Sequence, residues 1–384
     1  MSTWRLITSD AVGAADGLAC DEGLMHPYAR HREASAAATM RLYTYAPHAA
    51  LIGRYQHLEA EIDLEACRRL GVAVGRRPTG GGAILMGPGQ LGVAITTRAP
   101  RDISPRELLH QFAGGIITGL ESRGVRATFR GKNDLQVDGR KIAGLGLYVD
   151  DDGALLFHAS VLADLDIRLM LEVLRIPGAK LADKGIERVQ ERITTVSRES
   201  GVPCAGADVR TAISEGFERT LGIRLVRSQP DAAERAACAD SLRSRHHDAR
   251  WLAGRSEGGG TRGTAALKTP AGLVRVYVGV QDGVISSVMV AGDFTVMAPS
   301  LLELEAALRW CRADPLRIAD VVSAHIAGDE LGAGPEALAA TIWFAAERAL
   351  ARDASAAPVR PSGSCYFPDG EPAVAQLVGE EVMR

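Results

Sequence analysis

Of the 44 basic residues in this chain only five are lysines, and Lys132, Lys141, Lys180 and Lys184 fall together between positions 132 and 184; the fifth is Lys268. Lysine offers a compact ammonium with a shiftable pKa, whereas arginine offers a fixed, always-charged fork. A chain that uses arginine nearly everywhere else and keeps lysine here marks a place for point charges, although a solvated surface would also hold them. Three segments around the cluster carry the residue types that chemistry needs.

The first runs Arg76-Arg77-Pro78-Thr79-Gly80-Gly81-Gly82-Ala83-Ile84-Leu85. Contiguous glycines let the backbone approach a ligand closely, because no Cβ stands in the way. Their amides can donate to phosphate or carboxylate oxygens, with charge-assisted contacts from the paired arginines. The spacing matches neither a Walker A loop nor a dinucleotide-binding fingerprint. The same glycines also suit a mobile loop that binds nothing.

The second runs from Gly131 to Gly144 and contains Lys132-Asn133-Asp134-Leu135 and Gly139-Arg140-Lys141-Ile142. Asp138-Gly139 is a pair favoured in a two-residue hairpin turn, so Lys141 is presented from a strand with small residues after it. Activation of a carboxylate by ATP brings two anions together, and a rigid lysine between them offsets their repulsion. An ordinary surface hairpin is the competing reading. The third segment is Phe157-His158-Ala159-Ser160, followed by Asp183-Lys184-Gly185-Ile186 in an expected polar loop. His158 in an apolar strand reads more readily as a hydrogen-bonded structural histidine than as a base.

In sequence order, these segments resemble the lipoate–protein ligase family over about residues 1–227. Gly17-Leu-Ala-Cys-Asp-Glu22 is similar to that family's N-terminal helix, and Leu51-Ile52-Gly53-Arg54 to the end of its next strand. The segment from Gly283 to Phe294 is similar to the ligases' accessory domain, here fused. The resemblance implies an α+β fold of the biotin/lipoate-ligase, class II synthetase-like kind, with a mostly antiparallel sheet and a small α+β C-terminal domain. It implies that lipoate is adenylated with ATP and Mg2+, the metal held through phosphates, and that the lipoyl group passes to a lysine of an acceptor protein. The acceptor would be a lipoyl domain or a glycine-cleavage-H-like protein, and the acid lipoate or octanoate. The resemblance places Lys141 against nucleotide and lipoate. Arg76, Arg77, Gly80, Gly81, Gly82, Ala83, Ile84, Leu85, Asn133, Asp134, Gly144, His158, Ser160 and Lys184 become candidate binding residues. The chain departs from the family pattern at Met86-Gly87, at Ala143-Gly144-Leu145-Gly146 and at Ala159-Ser160.

The family's fold is shared with biotin–protein ligases, whose glycine-rich loop is interleaved with several arginines, unlike Arg76-Arg77-Pro78-Thr79, and with octanoyl or lipoyl transferases. Octanoyl or lipoyl transferases that form a thioester need a cysteine nucleophile, and no cysteine lies between Cys67 and Cys204. Carrier-to-carrier transfer without a cysteine stays open, as does a lipoyl-domain binding protein that has lost catalysis.

The elements that must position these residues are partly visible. Helices are expected over 17–25, 62–70, 108–122 and 209–221, and strands over 41–45, 49–52, 72–74, 135–137 and 141–143. Residues 1–227 form the expected catalytic domain. A polar helical connector over 228–250 is long enough to let the C-terminal module change position relative to that domain. Residues 251–352, the module itself, read as three strands (264–268, 273–280, 284–290) and then three helices (301–310, 318–325, 335–351), a normal domain size. The tail, 353–384, reads as loop-like.

The 384 residues carry a net charge of -3, 46% hydrophobic and 24% charged residues. These values fit a soluble globular protein and give no pointer to nucleic acid or an anionic membrane. No apolar stretch reaches the roughly 18 residues of a membrane span, and the six cysteines are spread singly. A cytoplasmic location with reduced thiols is the expectation.

Overall fold

Two faces of one sheet organise the molecule. In the computed structural model, which describes residues 2–131, 133–176, 183–256, 262–269, 272–294, 298–328 and 333–353, an eight-stranded sheet runs in the order β11-β1-β2-β6-β10-β9-β8-β7. The strands are β1 (Ser2–Val12), β2 (Ala38–Tyr45), β6 (Gln90–Arg98), β7 (Thr128–Arg130), β8 (Asp134–Val137), β9 (Arg140–Val149), β10 (Ala154–Leu162) and β11 (Ile223–Arg227). β1 pairs in parallel with β2 and β11, and the other neighbours are antiparallel. A small sheet of β3 (Ala49–Ile52), β4 (Ala73–Arg76) and β5 (Ile84–Met86) lies beside it. The α+β, mostly antiparallel expectation holds.

One face of the large sheet is apolar. Met40, Leu42, Leu91, Val93, Phe157 and Leu145 pack there with Leu109, Phe112 and Ile116 of the helix Pro105–Glu121, and with Ile213 and Phe217 of the helix Arg210–Leu221. Burying each large side chain contributes roughly 1.5–3 kcal/mol. Ser104 starts the first helix: its hydroxyl accepts from the Glu107 amide while the Glu107 carboxylate accepts from the Ser104 amide, a reciprocal cap. The two helices touch through glycine, since a Cβ on Gly216 would lie 2.3 Å from the Gly115 carbonyl oxygen.

β12 (Arg262–Thr269), β13 (Gly272–Gln281) and β14 (Val284–Gly292) form an antiparallel sheet covered by the helices Pro299–Leu308, Pro315–His325 and Pro335–Asp353. Val276, Val278, Ile285, Leu301, Leu304 and Ile342 make this separate core. The strands-then-helices order matches the expectation. The first helix stops earlier than its periodicity suggests. The Trp310 amide donates to the Ile285 carbonyl, and Trp310 takes φ 71°, which turns the chain back onto β14.

Three expectations need correction. The helix expected over 62–70 starts only at Leu64, where the Asp63 carboxylate caps the Ala66 amide, and a separate short helix, Leu58–Glu61, precedes it. Lys184 and Gly185 lie in the helix Asp183–Gln190, not in a loop. The connector is no free tether: its helix Ala232–Ser241 lies on the helix Ala14–Gly23. There Glu22 accepts from Arg245 at 2.8 Å, Ser241 and His246 also contact Glu22, and Glu234 pairs with Arg5. Lys132, Lys180 and the tail from residue 354 lie outside the described residues.

Candidate active site

The opposite face of the large sheet is where the chemistry-bearing residues gather. Cross-strand register arranges them in two rows. Tyr43, Gly92, Ser160, Gly144 and Asp134 lie side by side across β2, β6, β10, β9 and β8. Arg41, Ala94, His158 and Gly146 form the next row. Large polar residues thus alternate with glycine or alanine on the strands between, and the small residues leave a trough. A Cβ on Gly92 would lie 2.5 Å from the Tyr43 ring, so glycine is what admits that ring.

Lys141 reaches this face through a bulge. Leu135 opposes Ala143 and Gln136 opposes Lys141, so β9 has one more residue than β8 at that point. The extra residue lets Ile142 and Ala143 both enter the core. Strict alternation from Gly144 would have turned Lys141 into that core. With the bulge, its ammonium lies on the trough side, 2.7 Å from an Asp134 carboxylate oxygen. Bulges commonly re-aim a side chain in this way. The backbone is clamped on its far side too, where the Lys141 amide donates to Arg192 and the Thr194 amide to Lys141, both at 2.8 Å. Gly144 gives the lysine its room: a Cβ there would lie 3.1 Å from Nζ and 3.2 Å from Cε. Gly144→Ala should therefore push the ammonium aside by a few tenths of an ångström. We expect turnover to fall about tenfold through misplacement, with the thermal midpoint unchanged. An unchanged kcat would show that the ammonium's position tolerates this shift.

A partly open pocket lies beside Lys141. Leu18, Tyr43, Tyr45, Leu51, Ile84 and Met86 supply apolar lining, while Thr79, Gly80, Gly81, Asn133, His158 and Ser160 supply polar edges. Asn133 is fixed by donating its side-chain amide to the Leu145 carbonyl at 2.8 Å. Of the candidates, Arg77, Gly80, Gly81, Ile84, Asn133, Lys141, Gly144, His158 and Ser160 line this pocket, with Asp134 beside Lys141. Leu85 instead is buried with Ala50, Ile52 and Ile62, and Ala83 packs against that cluster. For Lys184 only the helical position is described.

The two arginines do something other than wait for an anion. Arg76, 2% exposed, donates to the carbonyls of Gly53, Arg54, Gln56, Trp251, Leu252 and Ala253. It staples the helix Ala249–Ala253, which follows the connector, to the catalytic domain. Arg77 donates to Leu51 at 2.7 Å and to Gly82 at 2.8 Å, drawing the glycine loop into its curve. Burial pulls both guanidiniums down to about 10, which leaves them charged near neutral pH.

The C-terminal module closes the other side of the glycine loop. The Gly81 amide donates to the Phe294 carbonyl at 3.0 Å. Gln56 links the two parts, accepting from the Gly53 amide and donating to Asp293, each at 2.9 Å. Arg275 pairs with Glu61 at 2.6 Å, and Tyr277 stacks on His57 at 4.5 Å.

Beneath the pocket lies a buried network that the motif reading missed. Asp21, fully buried, accepts from Arg41 at 2.6 Å, from the Tyr43 hydroxyl at 2.9 Å and from His158 Nε2 at 3.0 Å. His158 Nδ1 then faces Thr79 Oγ1 at 3.4 Å. Burial drives the Asp21 carboxyl upward, but Arg41 and His158 outweigh it and hold the group below its usual range. Burial and the Asp21 charge raise Tyr43 well above an ordinary phenol, so it stays a donor. An arginine and a tyrosine at alternate positions of a strand buried along its whole length were the available signal. Their acidic partner, 20 residues away, carried none.

Among the described residues no group of three or more His, Cys, Asp or Glu side chains converges as a metal site, and no helix is long and apolar enough to cross a membrane. The family model for the lipoyl protein ligase A/B catalytic domain matches residues 14–218, over half of the chain. The octanoyltransferase LipM of Symbiobacterium thermophilum is 28% identical over 253 residues, covering 59% of this chain and 90% of that protein. LipM of Kyrpidia tusciae is 28% identical over 275 residues, covering 65% and 98%. Among solved structures, a bi-partite lipoate protein ligase from Thermoplasma acidophilum superposes with a TM-score of 0.60 at 24% identity, covering 67% of this chain and 99% of that one. P. falciparum LipL1 in complex with lipoate superposes with a TM-score of 0.61 at 15% identity, covering 83% and 94%. The motif order, the sheet that presents Lys141 beside the glycine loop and the family match agree: this chain belongs to the lipoyl protein ligase A/B catalytic-domain family.

Proposed function

We propose that this chain transfers an octanoyl or lipoyl group from a carrier-bound thioester directly to the ε-amine of a lysine on an acceptor of the lipoyl-domain or glycine-cleavage-H type. The observation that carries the reading is the Lys141 ammonium, turned by a bulge toward an apolar pocket whose described lining contains no cysteine. A route through a thioester on this chain would need a nucleophile there. Direct transfer needs none. The acceptor amine attacks the acyl carbonyl carbon, the carbonyl oxygen gains negative charge, the C–S bond breaks, and the carrier thiol leaves with a proton. A fixed ammonium beside the carbonyl stabilises that charge as it develops. The apolar lining desolvates the acyl chain. The LipM relatives, named octanoyltransferases, support octanoyl transfer.

A second reading, ATP-dependent ligation, is supported by the glycine loop at the pocket's edge and its closure by the C-terminal module. In that reading Lys141 lies between the acid and the α-phosphate of ATP. The Asp134 carboxylate is already paired with Lys141, so Mg2+ would be held through the phosphates. Arg76 and Arg77 donate to backbone carbonyls, so in this reading they act on the phosphates through their charge and through the loop they shape.

The donor decides between the readings. With octanoyl thioester on a carrier protein and a lipoyl-domain acceptor, we expect acylated acceptor without nucleotide, at a rate indifferent to ATP. With free octanoate or lipoate, ATP and magnesium, we expect no pyrophosphate. Pyrophosphate release, with acylation only when ATP is present, would replace the first reading by the second.

A further inference from the structure

Acyl transfer leaves two cysteines unused, and the fold brings them together from 218 residues apart. Cys20 is on the helix Ala14–Gly23 and Cys238 on the connector helix Ala232–Ser241. Gly23, three residues after Cys20 and so on the same side of its helix, is the point of closest approach. A Cβ there would lie 2.4 Å from the Cys238 sulfur and 2.6 Å from its Cα. The Cys238 thiol donates to the Cys20 carbonyl at 3.7 Å and also lies within hydrogen-bonding reach of the Cys20 sulfur. The ion pairs of Glu22 and Glu234 hold the joint in register on either side. Both cysteines are half-buried, whereas Cys67 and Cys204 are buried. An open cleft bordered by Glu22, Gly23, Ala237 and Ser241 runs beside the joint, next to the residues that flank the two thiols.

We propose that Cys20 and Cys238 are a reversible disulfide site, closed by exchange with a small-molecule disulfide and bonding the N-terminal helix to the connector. The hydrogen bond from Cys238 lowers the Cys20 thiol below its ordinary value and raises Cys238 above it, which makes Cys20 the first attacker. Its thiolate attacks one sulfur of the reagent, breaks that S–S bond and releases one thiolate. Cys238 then loses its proton to solvent and attacks the Cys20 sulfur, expelling the second. Two electrons pass from the protein to the reagent, which is reduced to two thiols. The dithiolane of a lipoyl group belongs to the same reagent class. The closed bond ties the segment leading to the C-terminal module to the helix that carries Asp21. The site does not depend on which acyl donor the pocket uses.

The full chain, treated with oxidised glutathione at mildly alkaline pH and then alkylated, should lose two hydrogens in mass and two alkylatable thiols. Non-reducing peptide mapping should find Cys20 joined to Cys238, and dithiothreitol should restore both thiols. Cys238→Ser should stop at a glutathione adduct on Cys20, which keeps the test independent of how the disulfide affects folding. Both thiols remaining alkylatable in the wild-type chain after oxidation, or a crosslink mapping to another pair, would overturn the proposal.

Discussion

Replacing Lys141 by alanine is expected to lower acyl transfer about 100- to 1,000-fold, the usual effect of removing one preorganised donor from a developing oxyanion. The loss should appear in kcat more than in KM, because the ammonium acts on charge that exists only as the carbonyl is attacked. The fold should persist. The lysine side chain is 36% exposed, and its partner Asp134 is 30% exposed. An ion pair with that much water around it contributes about 0–1 kcal/mol. Lys141→Arg should recover only a small part of the rate. The guanidinium is broader than an ammonium and spreads its charge over a fork, and the trough beside Gly144 has little spare width. Single-turnover acylation of a lipoyl-domain acceptor, with circular dichroism as the folding control, measures both variants. A Lys141→Ala rate within a few-fold of the wild type would remove this residue from the chemistry under either donor.

Much of the site was legible because it rests on local signals. The Asp138-Gly139 turn fixes the hairpin that carries Lys141, and the glycine run announces a loop that must come close to something. The lysine cluster in an arginine-rich chain pointed to the same stretch. What escaped was the long-range part. β1 and β6 were not anticipated: β1 alternates little between apolar and polar residues, and β6 has a glycine at its third position, where it admits the Tyr43 ring from the neighbouring strand. The bulge at Ile142 depends on which residues β8 offers across the ladder. The role of Arg76 was misread for the same reason. A buried guanidinium and an anion-binding one look alike in sequence, and the six carbonyls that occupy it come from two segments far apart in the chain. Likewise, cysteines spread singly along a sequence tell nothing of two helices that cross at Gly23.

Asp21→Ala is expected to cost about 3–5 kcal/mol of stability, the range for breaking a buried ion pair by removing one partner. Arg41 is 1% exposed and would be left as an uncompensated charge beneath the pocket. Tyr43 and His158 would each lose an acceptor at 2.9 and 3.0 Å. The pair itself need not be stabilising: replacing Asp21 and Arg41 together by apolar residues of similar volume should restore most of the loss. The deficit of Asp21→Ala should depend on pH in one direction. In the folded protein burial pushes the Asp21 carboxyl up, but Arg41 and His158 overcome it, and the net position is below the ordinary value. A depressed folded pKa gives stability that is fully present above the unfolded value, near about 4, and is lost as pH falls through the folded value. The gap between wild type and variant should therefore be widest near neutrality and narrow in acid. Urea unfolding midpoints across that range measure it. A gap that stays constant from neutral pH into acid would mean that Asp21 owes its place to packing, and that the charge it holds against Arg41, Tyr43 and His158 is not what keeps the pocket floor together.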